Sequence, residues 1–201
     1  MIRRLLQDRS GSSGVEFVLV LPLLLVLLFG LIDVGRFLWT YNRAEKATQM
    51  GARMAVVTNY VSPGIGSSYV GVGSLTQGDV IPASQFGKIT CTSSGCSCTV
   101  SPCPTVGTAD TAAFDNVVTR MQALLPELAA DNVTIEYSSS GLGYAGDPNG
   151  ADLSPLVTVR IGAPATPLQF RPLTGLMFAS MDMPSFTATL TAEDLSGAQS
   201  N

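Results

Sequence analysis

The chain has no histidine among its 201 residues. Ser-His-Asp and Cys-His catalysis are therefore excluded, and most catalytic zinc sites lose their usual ligand. Charge is scarce as well, and from Phe17 to Ile32 it is absent. The acidic residues Asp79, Asp147, Asp152, Glu193 and Asp194 have no metal-loop spacing, and the glycine-rich stretches are not phosphate-binding signatures. Asp147-Pro148-Asn149-Gly150 reads as a turn. Asn132-Val133-Thr134 is a formal glycosylation sequon, but it falls at the start of a strand pattern. No set of residues converges on an active site, so neither an enzyme nor a cofactor or metal is expected.

What is present is a long apolar run. From Val15 to Ile32, 16 of 18 residues are apolar, the exceptions being Glu16 and Gly30. As a helix this run measures about 27 Å, close to the thickness of a bilayer core. It has no alternating polar face, which argues against a buried core helix. It leads into Asp33-Val34-Gly35-Arg36-Phe37-Leu38-Trp39, which lacks the small-residue pattern of a secretory cleavage site. The helix is thus expected to stay as an anchor, with Trp39 and Tyr41 at the membrane–water interface. Pro22 lies within the span, where a local kink and a freed carbonyl are expected.

Glu16 stands one residue inside this run. A carboxylate in lipid costs about 3 kcal/mol at the centre of a span and less near its edge, so an acid here is read as functional and calls for a partner. Ser13-x-x-Glu16 is also a capping box, which satisfies free N–H groups at a helix start. An acid in the first turn suits the helix dipole too. The two readings are compatible.

The stretch Gly11-Ser12-Ser13-Gly14-Val15-Glu16-Phe17 resembles the processing site of type IV pilin-like proteins, in particular the Tad pilus branch. The wider stretch from Asp8 to Pro22, continuing through Phe29-Gly30-Leu31-Ile32-Asp33-Val34-Gly35-Arg36 and ending with Gly51-Ala52-Arg53-Met54-Ala55, is similar to the start of a TadE-like pseudopilin. The resemblance implies cleavage by a prepilin peptidase after Gly11, on the cytoplasmic side, leaving Ser12 as the first residue. It also implies that Glu16, followed by Phe17, docks the helix during assembly. The implied partners are the peptidase, other Tad pseudopilins or pilus assembly components, and the lipid membrane.

Basic residues flank the apolar run on both sides, so charge alone does not orient it. Arg3, Arg4 and Arg9 precede it; Arg36, Arg43, Lys46 and Arg53 follow. All four cysteines (Cys91, Cys96, Cys98 and Cys103) come after the anchor, as expected for disulfides in an oxidising compartment. The expectation is a single-pass protein of the cytoplasmic (inner) membrane, with its amino terminus inside and its remaining domain outside. Four thiolates could hold zinc, but one residue between Cys96 and Cys98 departs from the usual spacing. Two disulfides are the better reading. A Cys96–Cys98 bridge would be strained, and sequence does not choose between the other two connectivities. From Met54 onward there are four basic and eleven acidic residues, which argues against nucleic acid as a partner.

The expected organisation is a leader at 1–11, a transmembrane and extended helix over 12–60, and an extracytoplasmic domain over 61–201 with a disulfide-bearing segment at 91–103. On the extended helix Phe37, Tyr41, Ala44, Thr48, Gly51 and Ala55 mark one face. That face can pack on the chain's own domain or on another subunit. Ser62 to Gly78 reads as loop. Phe114, Val117, Val118, Met121, Leu124 and Leu125 recur at helical spacing after a cap at Thr108 or Asp110.

Three strands alternate apolar and polar: Val133, Ile135 and Tyr137; Val157, Val159 and Ile161; Phe186, Ala188 and Leu190. The loop from Ser138 to Ser154 is longer than a hairpin needs and is expected to be mobile. Leu173 to Met181 is apolar, with a short helix as one reading. The fold class expected is α+β: a long amino-terminal transmembrane helix, then a small pilin-like domain with a helix packed on an antiparallel sheet of about three strands. The function expected is that of a minor pseudopilin in assembly of a Tad-type pilus or related secretion system. The alternatives are a pilus structural subunit and a signal-anchored envelope protein, ligand-binding or hydrolytic, unrelated to pili.

Overall fold

The computed structural model describes residues 12–148, 150–162, 166–173 and 180–192, with the side chains of Ser12 and Ser13 left aside. It begins with a single helix, α1 (Ser12–Val57), which runs without a break through Pro22. Thr48 is buried on its later part and Thr58 just past its end, and each hydroxyl donates to the carbonyl four residues earlier at 2.8 Å. That local bond lets a buried threonine satisfy its own hydroxyl. Pro63 follows soon after the helix and opens a short 3-10 turn, Pro63–Gly66.

The chain divides into two compact units. One takes the helix up to Thr40 with Phe170–Met181; the other takes Tyr41–Gln169 with the residues from Asp182 onward.

The second unit is built on a five-stranded antiparallel sheet. Its strands are β1 (Lys88–Thr92), β2 (Gly95–Val100), β3 (Val133–Ser138), β4 (Leu156–Ile161) and β7 (Phe186–Thr191), in the order β2-β1-β3-β4-β7. A two-residue pair, β5 (Gln169–Phe170) with β6 (Met181–Asp182), forms separately. One face of the main sheet is apolar: Ile89 and Cys91, then Val133, Ile135 and Tyr137, then Val157, Val159 and Ile161, all with 0% exposure. The opposite face is polar. There Glu136 takes Lys88 at 3.3 Å and Arg160 at 3.7 Å, and hydroxyls pair between Thr158 and Thr189 at 2.8 Å.

A sheet of about three strands is corrected to five. The two unforeseen strands, β1 and β2, lie in the cysteine segment, where Thr, Ser, Gly and Cys replace the Val and Ile that announce the others. Only Ile89 and Cys91 give β1 a buried face. Cys91 and Cys96 are register partners, so the first disulfide crosses directly between neighbouring strands. The second joins Cys98 to Cys103. This is one of the two connectivities that the spacing leaves open.

The sheet's apolar face is covered by more than the predicted helix. α2 (Thr111–Gln122) is capped by Asp110, whose Oδ1 accepts the Ala113 N–H at 3.0 Å, and it buries Phe114, Val117, Val118 and Met121. From Ala44 onward α1 buries Ala44, Ala47, Thr48, Gly51, Ala52 and Ala55. The Tyr41 ring meets Phe186 of β7 edge-on at 4.9 Å, so α1 also joins the cover. The small-residue face therefore packs on the chain's own domain. The fit at position 51 is close: a β-carbon there would crowd the Met121 side chain and force it to shift.

The long loop after β3 is cross-tied, contrary to the expectation of mobility. Gly143 bridges to Leu153, and Tyr144 to Val80. The buried Asp152 carboxylate accepts backbone N–H groups from Tyr69 at 2.6 Å, Gly146 at 2.8 Å and Asp147 at 3.0 Å, and the Ser68 hydroxyl at 3.1 Å. Burial pushes this carboxyl up, but the four donors outweigh burial and hold it below the usual range. One acid thus pins two loops. The sequon residue Asn132 is likewise engaged, donating to the Thr166 carbonyl at 3.0 Å and accepting from Ala129 N–H.

Candidate functional site

The candidate site is the opening of α1 and the apolar helix behind it. Gly11 lies outside the described residues, and Ser12, the first described residue, is helical. Glu16 and Phe17 are both exposed, Phe17 at 63%. The side chains that follow remain exposed: Leu19, Leu23, Leu27 and Leu31 each exceed 60%. The helix is long and apolar enough to cross a membrane. Exposed apolar surface on this scale is strongly unfavourable in water, roughly 25 cal/mol for each Å² left uncovered. A bilayer or other apolar neighbours remove that cost.

Pro22 belongs to this exposed stretch. Its ring removes one N–H and so leaves the Val18 carbonyl without its helical donor. The four cysteines are all in the second unit, joined as two disulfides, and none is free to ligate a metal as a thiolate.

Between Gly14 and Thr40, Asp33 is the only buried residue. Its Oδ1 accepts the backbone N–H of Leu173 at 2.8 Å and a hydrogen bond from Arg36 Nη1 at 3.3 Å. Arg36 also donates to the Arg171 carbonyl at 3.4 Å and lies 5.6 Å from the centre of the Phe170 ring. Phe37 meets the same ring edge-on at 5.4 Å. One turn of α1 thus holds Phe170–Leu173 with two charged side chains and an aromatic ring.

The sequence pattern marks Asp33 and Arg36 only as the end of the apolar run. The signal was their spacing: acid and base three residues apart share a helix face. Their distant partner has no such signal. Residues 174–179, where a short helix was one reading, lie outside the described residues, as does the acidic pair Glu193 and Asp194.

Residues 11–53 match the family model described as TadE-like protein, so the segment holding the processing-site pattern, the apolar run and the start of the buried helix face is TadE-like. No curated protein and no solved structure matches the chain.

Proposed function

We propose that the chain is a membrane-anchored, non-enzymatic minor pseudopilin acting in assembly of a Tad-type pilus or a related secretion system. The observation that carries this reading is the opening of α1 inside the TadE-like segment. Gly11 immediately precedes helical residues from Ser12 onward, with Glu16 at the head of an exposed, otherwise uncharged apolar stretch.

On this reading a prepilin peptidase cuts after Gly11 on the cytoplasmic side. The new α-amine of Ser12 then lies four residues from Glu16, about 6 Å along the axis. The amine of one subunit pairs with the Glu16 carboxylate of a neighbour. Such a pair offsets the desolvation of both charges, whereas either charge alone in lipid is costly. The exposed face from Phe17 to Ile32 contacts lipid before assembly and other Tad components after it. The amino terminus is cytoplasmic, and the second unit stands outside, where its disulfides form.

Intact mass and amino-terminal sequencing of the protein from cells with and without the peptidase test this. The expected result is a mature chain starting at Ser12 only when the peptidase is present. A leader still attached in cells that assemble normal pili would overturn it.

A further inference from the structure

The ribbon Phe170–Leu173 meets α1 at a particular height. Its Leu173 N–H bonds Asp33, the first residue after the apolar run ends at Ile32. Leu173 nevertheless exposes 63% of its surface, and Met181, on the strand paired with Phe170, exposes 44%. Within the two turns around Asp33, the side chains of Ile32, Val34, Leu38 and Trp39 are exposed. Arg171 is exposed and Arg36 is partly so. The level therefore combines apolar side chains, a tryptophan and two guanidinium groups, the mixture that suits the boundary between acyl chains and headgroups.

We propose that Phe170–Leu173 with Met181 forms a second membrane contact, seated in the interface of the same bilayer that α1 crosses, at the downstream end of the span. Leu173 enters the acyl boundary, and Arg36 and Arg171 reach the phosphates of the headgroups. The burial of Asp33 supports this occupant over water. Its carboxylate ends an apolar stretch and would face lipid unless covered; the ribbon covers it and supplies an N–H. Two contacts at one height fix the tilt and rotation of the helix better than a span alone.

The inference rests on the reading of α1 as a membrane span, and the test separates the two. The full chain, with its disulfides intact, is reconstituted in vesicles of phosphatidylethanolamine and phosphatidylglycerol. An environment-sensitive NBD label is placed in turn at Leu173→Cys, Leu25→Cys and, as a reference on the second unit, Thr111→Cys. Quenching by a lipid with a spin label high on its acyl chain is then measured. The expected result is quenching at 173 at least twofold above that at 111. Quenching at 173 equal to that at 111, with strong quenching at 25, overturns the second contact alone. Weak quenching at all three positions overturns the span and this inference with it.

Discussion

Gly51 of α1 and Met121 of α2 meet so closely that a β-carbon on the glycine would stand 2.5 Å from the methionine sulfur. The contact locks the later half of the long helix to the domain it serves. Gly51→Val should destabilise the protein by about 1–3 kcal/mol through overpacking, more than the helix-propensity gain of at most about 1 kcal/mol. Trimming the neighbour should make room. The double variant Gly51→Val with Met121→Ala is expected to lose clearly less than the sum of the two single losses in denaturant unfolding. Additive losses would mean that the two side chains do not share a space.

Asp152 gives a prediction with a pH signature. Asp152→Asn keeps the shape but weakens a set of charge-assisted bonds, at an expected cost of about 1–3 kcal/mol at pH 7. The native carboxyl is held below its ordinary range. Its contribution is therefore fully present above the unfolded value, about 3.9, and is lost as pH falls through the lower folded value. Denaturant midpoints of the two proteins should differ at pH 7 and converge in strong acid. A gap that stays constant throughout would exclude the titration of this group as its source.

The tyrosines act at the other end of the scale. Burial, reinforced by a neighbouring acidic group, pushes Tyr60 and Tyr69 up to about 12. Tyr137 is raised further by burial, even though its oxygen accepts the Val61 N–H at 3.1 Å. Groups raised in the fold contribute stability below the unfolded value, about 10, and lose it as pH climbs through the folded values. Unfolding midpoints should therefore fall between pH 10 and 12, with the phenolate absorbance of these three appearing only as the domain opens. Full tyrosine ionisation at pH 10.5 with the fold intact would refute this.

The two disulfides should differ in access. Cys91 is fully buried, whereas Cys98 is exposed and Cys103 partly so. Thiolate attack requires access to a sulfur, so limiting reductant followed by alkylation and mass spectrometry should find Cys98 and Cys103 modified first. Replacing Cys91 and Cys96 together by alanine should cost about 2 kcal/mol for the loss of so short a loop.

For assembly, Glu16→Ala should leave peptidase cleavage largely intact and lower incorporation into the pilus machinery several-fold, scored by pilus counts and co-purification. Normal piliation in that strain would remove the docking role from Glu16.

The long helix was legible because its signal is continuous: a run of Leu and Val, then small residues at steps of three and four. β3, β4 and β7 were legible because Val, Ile, Phe and Leu alternate with Thr, Glu and Arg. β1 and β2 were not, because they pair with each other across a disulfide, and β1 with β3, with little apolar pattern of their own. The tie between Asp33 and Leu173 was hidden for a related reason. A backbone N–H carries no sequence signature, so its acceptor gives no hint of where the donor lies. The loop around Asp152 looked featureless because glycine and aspartate are read as turn formers, and the same residues also build buried hydrogen-bond hubs.

β2 is an edge strand of its sheet, and both cross-links involve it. Recombinant material made in a reducing cytosol would therefore carry that margin unstapled, with four thiols open to scrambling once air reaches them. Antibodies raised against such material would be directed at a species that lacks both cross-links. Export, or refolding under a controlled thiol buffer, is the route to a faithful sample.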